Sequence, residues 1–111
     1  MIPSRFFIIA VALTVFATPA PASPVSPTTC ARELAVTETN LLKTAIRLQA
    51  ASRLSQDEKC ATYRTHADVV TKARQVFERC STGRDREQDV GQMDGALSQI
   101  ETAIASICAL Q

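Results

Sequence analysis

Four cysteines and one histidine are the side chains of this sequence with the greatest potential for chemistry. They are Cys30, Cys60, Cys80, Cys108 and His66. Redox sites of the thioredoxin type and structural zinc sites need closely spaced cysteine pairs, and no such pair occurs here. Widely spaced cysteines in an exported chain instead form structural disulfides. The spacing therefore predicts two disulfides rather than a metal or redox centre.

The segments that carry the cysteines have the apolar periodicity of α-helices. In the last segment Val90, Met93, Leu97 and Ile100 alternate by three and four residues, which places them on one helical face. No alternation typical of a strand competes with this pattern. We predict an all-α fold, an antiparallel three-helix bundle with helices at about 29–54, 56–81 and 86–110.

Local signals mark the two connections between the predicted helices. Ser55 and Glu58 have the spacing of a capping box, which predicts a very tight turn and hence an antiparallel pair of helices. Gly83 follows the second helix and can adopt the left-handed conformation that ends many helices.

Helix length decides how the cysteines pair. Cys60 and Cys80 lie on one predicted helix, about 30 Å apart. A disulfide requires Cα atoms within about 7 Å, so these two cannot pair with each other. In an antiparallel bundle one end holds Cys30 with Cys80, and the other holds Cys60 with Cys108. We predict these two disulfides, each worth about 4 kcal/mol through loop closure.

The N-terminus has the features of a secretory signal peptide. Arg5 precedes an apolar run over 6–17, and Ala20-Pro21-Ala22 matches a cleavage site for small residues. We expect a signal peptide at 1–22, an extended lead at 23–28 and a helical domain at 29–111. The chain would then be periplasmic or secreted, with no membrane segment after cleavage.

Net charge limits the classes of partner. The chain has 12 basic and 11 acidic side chains, and Arg5 belongs to the predicted signal peptide, so the remainder is balanced. This balance argues against binding to nucleic acid or to an anionic membrane in general.

His66 and Met93 are the candidates for a metal site. His66 falls inside the apolar arc of its helix, where a lone histidine is more often structural. Met93 fits the apolar stripe of the third helix. We predict no cofactor, and a metal- or haem-binding bundle using His66 and Met93 is the alternative.

Glu38 and Arg74 project onto the apolar arcs of their helices. We expect them to form a partly buried ion pair that fixes the register of the bundle. No nucleophile or second acid accompanies them, so we predict no catalytic residues and no enzymatic activity.

The second helix also has a basic and apolar outer surface. This surface comprises Arg64, Val69, Lys72, Val76 and Arg79. It either faces solvent and complements the acidic third helix, or it binds an acidic protein partner or a second copy in a homodimer.

The stretch 60–94, CATYRTHADVVTKARQVFERCSTGRDREQDVGQMD, resembles small exported helical proteins of proteobacteria that carry four cysteines. The resemblance implies export and a helical fold, and it brings no activity or site residues. The expected function is a non-enzymatic interaction module, such as an inhibitor, an adaptor or a chaperone-like protein.

Overall fold

The computed structural model of the chain describes residues 27–109. Within this range the protein is helical and has no strand. Its elements are α1 (Pro27–Ala50), a 3-10 turn (Ala51–Arg53), α2 (Gln56–Cys80) and α3 (Gly83–Cys108). The predicted signal peptide, most of the predicted lead and the predicted last residue of the third helix lie outside the described residues.

The connection between α1 and α2 follows the predicted capping box. The Ser55 N–H donates to Glu58 Oε2 at 3.3 Å, and the Glu58 N–H donates to Ser55 Oγ at 3.3 Å. These bonds satisfy two backbone donors that the start of a helix would otherwise leave unpaired. The last turn of the predicted first helix tightens to 3-10 geometry, and α2 begins within two residues of Leu54.

Two helices start earlier than predicted. α1 begins at Pro27, because proline has a helix-compatible φ and its missing N–H costs nothing in the first turn. Gly83 has the predicted positive φ of 55°, yet it also opens α3, three residues before the predicted start. The chain reverses through extended backbone at Ser81 and Thr82 followed by the left-handed Gly83.

α2 is the central helix of the bundle. Its backbone packs against both α1 and α3, whereas no Cα atom of α1 lies within 8 Å of one in α3 across the described range. Disulfides Cys30–Cys80 and Cys60–Cys108 join α2 to its neighbours at opposite ends, each with a Cα–Cα distance of 5.2 Å. The predicted fold and both predicted pairings are confirmed. The two disulfides indicate an oxidising, extracellular or periplasmic location.

The most deeply buried side chains come unequally from the three helices. α2 contributes Cys60, Val70, Ala73 and Phe77, and α3 contributes Ile100. The buried residues of α1 are Thr37 and Thr44, both polar. The larger apolar residues of α1 are half-buried or exposed, with Val36, Leu42 and Ile46 exposed, whereas those described in α3 are all buried or half-buried.

Candidate binding groove

The cysteines are held in structural bonds. All four are disulfide-bonded, and Cys60 is 1% exposed. Since a thiolate is the reactive form of cysteine, these bonded sulfurs offer neither a nucleophile nor a metal ligand.

His66 is engaged in a contact between helices. Its Nδ1 lies 2.7 Å from Thr44 Oγ1, and the Thr44 hydroxyl also donates to the backbone oxygen of Asn40 at 3.1 Å. With the hydroxyl hydrogen used in this way, Nδ1 is the donor, a role open to the imidazolium and to the neutral Nδ1–H tautomer. Partial burial lowers the pKa of His66, which favours this neutral form.

Met93 is half-buried in α3, whereas Thr44, which contacts His66, belongs to α1. No group of three or more His, Cys, Asp or Glu side chains that could hold a metal occurs among residues 27–109. The contact with Thr44 gives His66 a structural role at the α1–α2 seam.

The structure does not bring Glu38 and Arg74 together as an ion pair. Arg74 Nε donates to Asp94 Oδ1 on α3, and its Nη1 lies 3.2 Å from Glu78 one turn along α2. Hydrogen bonding to Asp94 and its charge are the main causes that raise the pKa of Arg74. Glu38 is exposed on α1. Arg74 therefore links α2 to α3, not to α1.

Arg79 connects the opposite side of α2 to α1. Its Nη2 lies 3.1 Å from Glu33 Oε2, and the same carboxylate oxygen is 3.6 Å from Cys80 Sγ. The ion pair and the Cys30–Cys80 disulfide thus occupy the same end of the α1–α2 seam. Glu33 is consequently paired within the protein.

A series of surface cavities follows the α1–α2 seam. The cavity nearest the Cys30–Cys80 end has a volume of about 290 Å³, and two smaller cavities of about 110 and 150 Å³ continue along the seam. We call this surface the α1–α2 groove; it is lined by Arg32, Glu33, Val36, Thr37, Asn40, Thr44, Arg47, Ala61, Thr62, Thr65, Val69, Lys72, Ala73 and Val76.

The floor of the groove is made of small and β-branched side chains. Val36 is 53% exposed there, and Val69 and Val76 are half-buried. Because threonine, alanine and valine are short, the seam between the helices is not filled to the surface. The groove therefore offers apolar area that a ligand side chain can cover.

The rim of the groove is basic. Arg32, Arg47 and Lys72 line it, and Lys43 lines an adjoining cavity on α1 together with Val36 and Asn40. None of these four cations forms an ion pair within residues 27–109. Glu33, already paired with Arg79, is the one acidic side chain among the lining residues. The local charge is thus positive although the whole chain is almost neutral.

The groove contains part of the surface predicted from the sequence of α2. Val69, Lys72 and Val76 line it, and Arg79 borders it through Glu33. Arg64 is exposed and does not line these cavities. The α1 side, with Arg32, Lys43 and Arg47, was missed. The spacings of four residues from Arg32 to Val36 and seven from Val36 to Lys43 would have shown that these residues share a face of α1.

Comparison of the chain with protein-family models, with curated proteins and with solved structures found no match. None of the helices in the described range is long and apolar enough to cross a membrane.

Proposed function

We propose that this protein is an exported, non-enzymatic interaction module that binds a protein partner through the α1–α2 groove. The observation that carries this proposal is an apolar floor, with Val36 53% exposed, surrounded by cations that have no ion-pair partner in the described part of the chain. Apolar area gives binding energy on burial, and rim charges select the partner.

The compartment supports the same proposal. Two disulfides suit an oxidising environment, and the N-terminal sequence has the pattern of a signal peptide with cleavage after Ala22. A periplasmic or secreted protein of this size gains much of its rigidity from its disulfides. A rigid surface loses little conformational entropy when it binds, which favours a recognition role such as that of an inhibitor, adaptor or chaperone-like protein.

Other functions receive less support from the described residues. Catalysis would need a nucleophile or an acid–base pair in a cavity. The charged side chains that line the groove are three cations and Glu33, which is already paired with Arg79. Metal or haem binding would have to use His66 Nε2, because Nδ1 contacts Thr44, and no group of three or more His, Cys, Asp or Glu side chains that could hold a metal occurs among residues 27–109. A homodimer through the groove would place its cations against those of a second copy, which is unfavourable.

Site-specific photocrosslinking in the producing cell tests the proposal. A photoreactive residue replaces Val36 in the groove, and a matched control replaces Gln99, which is exposed on α3. We expect one discrete adduct from position 36, whose protein partner mass spectrometry identifies, and none from position 99. The adduct should form again when the purified partner is mixed with the protein.

Charge reversal in the groove provides the second control. Adding Lys72→Glu to the position-36 probe should abolish the adduct, because Lys72 lines the same cavity as Val36. Equal adducts from positions 36 and 99, or an adduct that Lys72→Glu leaves unchanged, would contradict binding through the groove.

A further inference from the structure

The charge of the α1–α2 groove indicates the charge of its ligand. Three cations of the groove, Arg32, Arg47 and Lys72, lie beside the apolar floor, and Lys43 lines the adjoining cavity on α1. None of these four cations forms an ion pair within residues 27–109. Like charges clustered at an interface repel one another until an opposite charge neutralises them. A ligand that carries carboxylates along both edges of an apolar strip would match this pattern.

The shape of the groove indicates the conformation of its ligand. An extended peptide would need a sheet edge for its backbone hydrogen bonds, and the described residues are helical throughout the seam. A polyproline ligand docks on aromatic side chains, and neither phenylalanine nor tyrosine lines these cavities. A helical ligand satisfies its own backbone groups, so it needs only a groove for its side chains.

The spacing of the lining residues sets the length of that helix. Arg32 and Arg47 are separated along α1 by about 22 Å, the length of roughly four helical turns. Val69 and Val76 are two turns apart on α2, which matches apolar residues at positions i and i+7 of a ligand helix.

We propose that the α1–α2 groove binds an acidic amphipathic helix of a partner protein, with its apolar side chains on the valine floor and its carboxylates beside the four cations. This proposal rests on the function proposed above and adds the chemical class of the partner. The helix has apolar residues at i, i+3, i+4 and i+7 and glutamate or aspartate on the flanks of that strip.

A designed peptide tests this proposal directly. The peptide has about 16 residues, the length of the groove, with leucine at the apolar positions and glutamate at the flanking ones. Its binding to the disulfide-bonded chain is measured by fluorescence anisotropy at several salt concentrations. We expect saturable binding that weakens with salt, since salt screens exposed charge pairs.

Two peptide controls separate the apolar contribution from the electrostatic one. One control has lysine in place of every glutamate, and the other has serine in place of every leucine. We expect both controls to bind at least about tenfold more weakly. Equal binding of the serine peptide would reveal attraction to any polyanion and would overturn the proposal.

A matched pair of protein variants locates the binding. Arg32→Glu with Lys72→Glu reverses two cations of the groove, and Arg53→Glu with Arg84→Glu makes the same change in net charge at exposed positions elsewhere. We expect the first variant to weaken binding at least about tenfold and the second to change it less than about twofold. Equal effects, or no binding by the original chain, would overturn the proposal.

Vesicles that contain phosphatidylglycerol distinguish a membrane surface from a protein helix. Binding to these vesicles, with loss in the Arg32/Lys72 variant and no binding of the acidic peptide, would overturn the proposal in favour of a lipid surface. If photocrosslinking from position 36 instead identifies a partner without an acidic helix, the proposed function stands and this inference fails.

Discussion

The two seams of the bundle, α1–α2 and α2–α3, differ in what they bury and in what they expose. Both are closed by one disulfide with a Cα–Cα distance of 5.2 Å. The buried residues of α1 are Thr37 and Thr44, whereas α3 buries Ile100. An ion pair crosses each seam, Arg79–Glu33 at α1–α2 and Arg74–Asp94 at α2–α3. The open cavities lined by cations without an ion pair in the described range follow α1–α2. We therefore expect the α2–α3 seam to contribute more to stability, and we propose the α1–α2 seam as the surface for recognition.

Removal of each disulfide in turn gives the largest effect that this comparison predicts. Loop closure gives the two bonds nearly equal weight, about 4 kcal/mol each, because their sequence separations are 50 and 48. Cys60 is 1% exposed, so Cys60→Ser with Cys108→Ser also buries a hydroxyl at a cost of about 1–3 kcal/mol. We expect this variant to be the less stable one in denaturant unfolding.

Cys30→Ser with Cys80→Ser is the matched control. Both of these cysteines are half-buried, and in the described range α1 has Cα atoms within 8 Å of α2 but not of α3. We therefore expect its loss of hydrogen-exchange protection to be concentrated in α1. Uniform loss of protection over all three helices, or greater instability than the other variant, would contradict the contrast between the seams.

Substitution of one buried residue at each seam, Ile100 on α3 and Thr44 on α1, gives a smaller difference in the free energy of unfolding. Ile100→Ala removes an apolar side chain that is 6% exposed and should reduce the free energy of unfolding by about 3 kcal/mol. Thr44→Val keeps the shape of the side chain but removes the hydroxyl that contacts His66, which should cost about 1 kcal/mol. Urea unfolding measures both values; a larger loss for Thr44→Val would reverse the assignment of stability to the α2–α3 seam.

The smallest predicted effect is a pH dependence that arises at the α1–α2 seam. Burial lowers the pKa of His66 from 6.5, so the folded chain binds fewer protons than the unfolded chain between the two pKa values. Stability should therefore fall modestly as the pH falls through 6.5. His66→Asn cannot titrate in this range and should give a flatter profile in urea unfolding between about pH 8 and pH 5. Parallel profiles for the two proteins would show that His66 does not contribute.

The framework of the fold could be predicted from the sequence because it depends on local spacing and on length. The distance between Cys60 and Cys80 along one helix excluded their pairing, and the Ser55–Glu58 spacing located the turn between α1 and α2. Both inferences need only the helical rise and the geometry of a cap. Neither depends on how the helices rotate against each other.

Rotation and register between helices were harder to predict. A helical wheel places Glu38 and Arg74 on apolar arcs, yet it does not determine which neighbour each side chain reaches. Arg74 reaches Asp94 on α3, because a long side chain at the border of an arc can bend toward either neighbour. The groove was predicted only on its α2 side for the same reason, since joining Arg32 to Lys72 requires the relative position of two helices.

The positions of the two disulfides also determine how the chain responds to proteases. Cys30 is bonded to Cys80, and Cys60 is bonded to Cys108, so the two closed loops overlap along α2. A single peptide-bond cleavage anywhere between Cys30 and Cys108 leaves at least one disulfide across the break. The two pieces stay covalently joined, whether the cut falls in α1, α2, α3 or a turn. Nicked protein would therefore separate into fragments only after reduction, an advantage for a chain exposed to extracellular or periplasmic proteases.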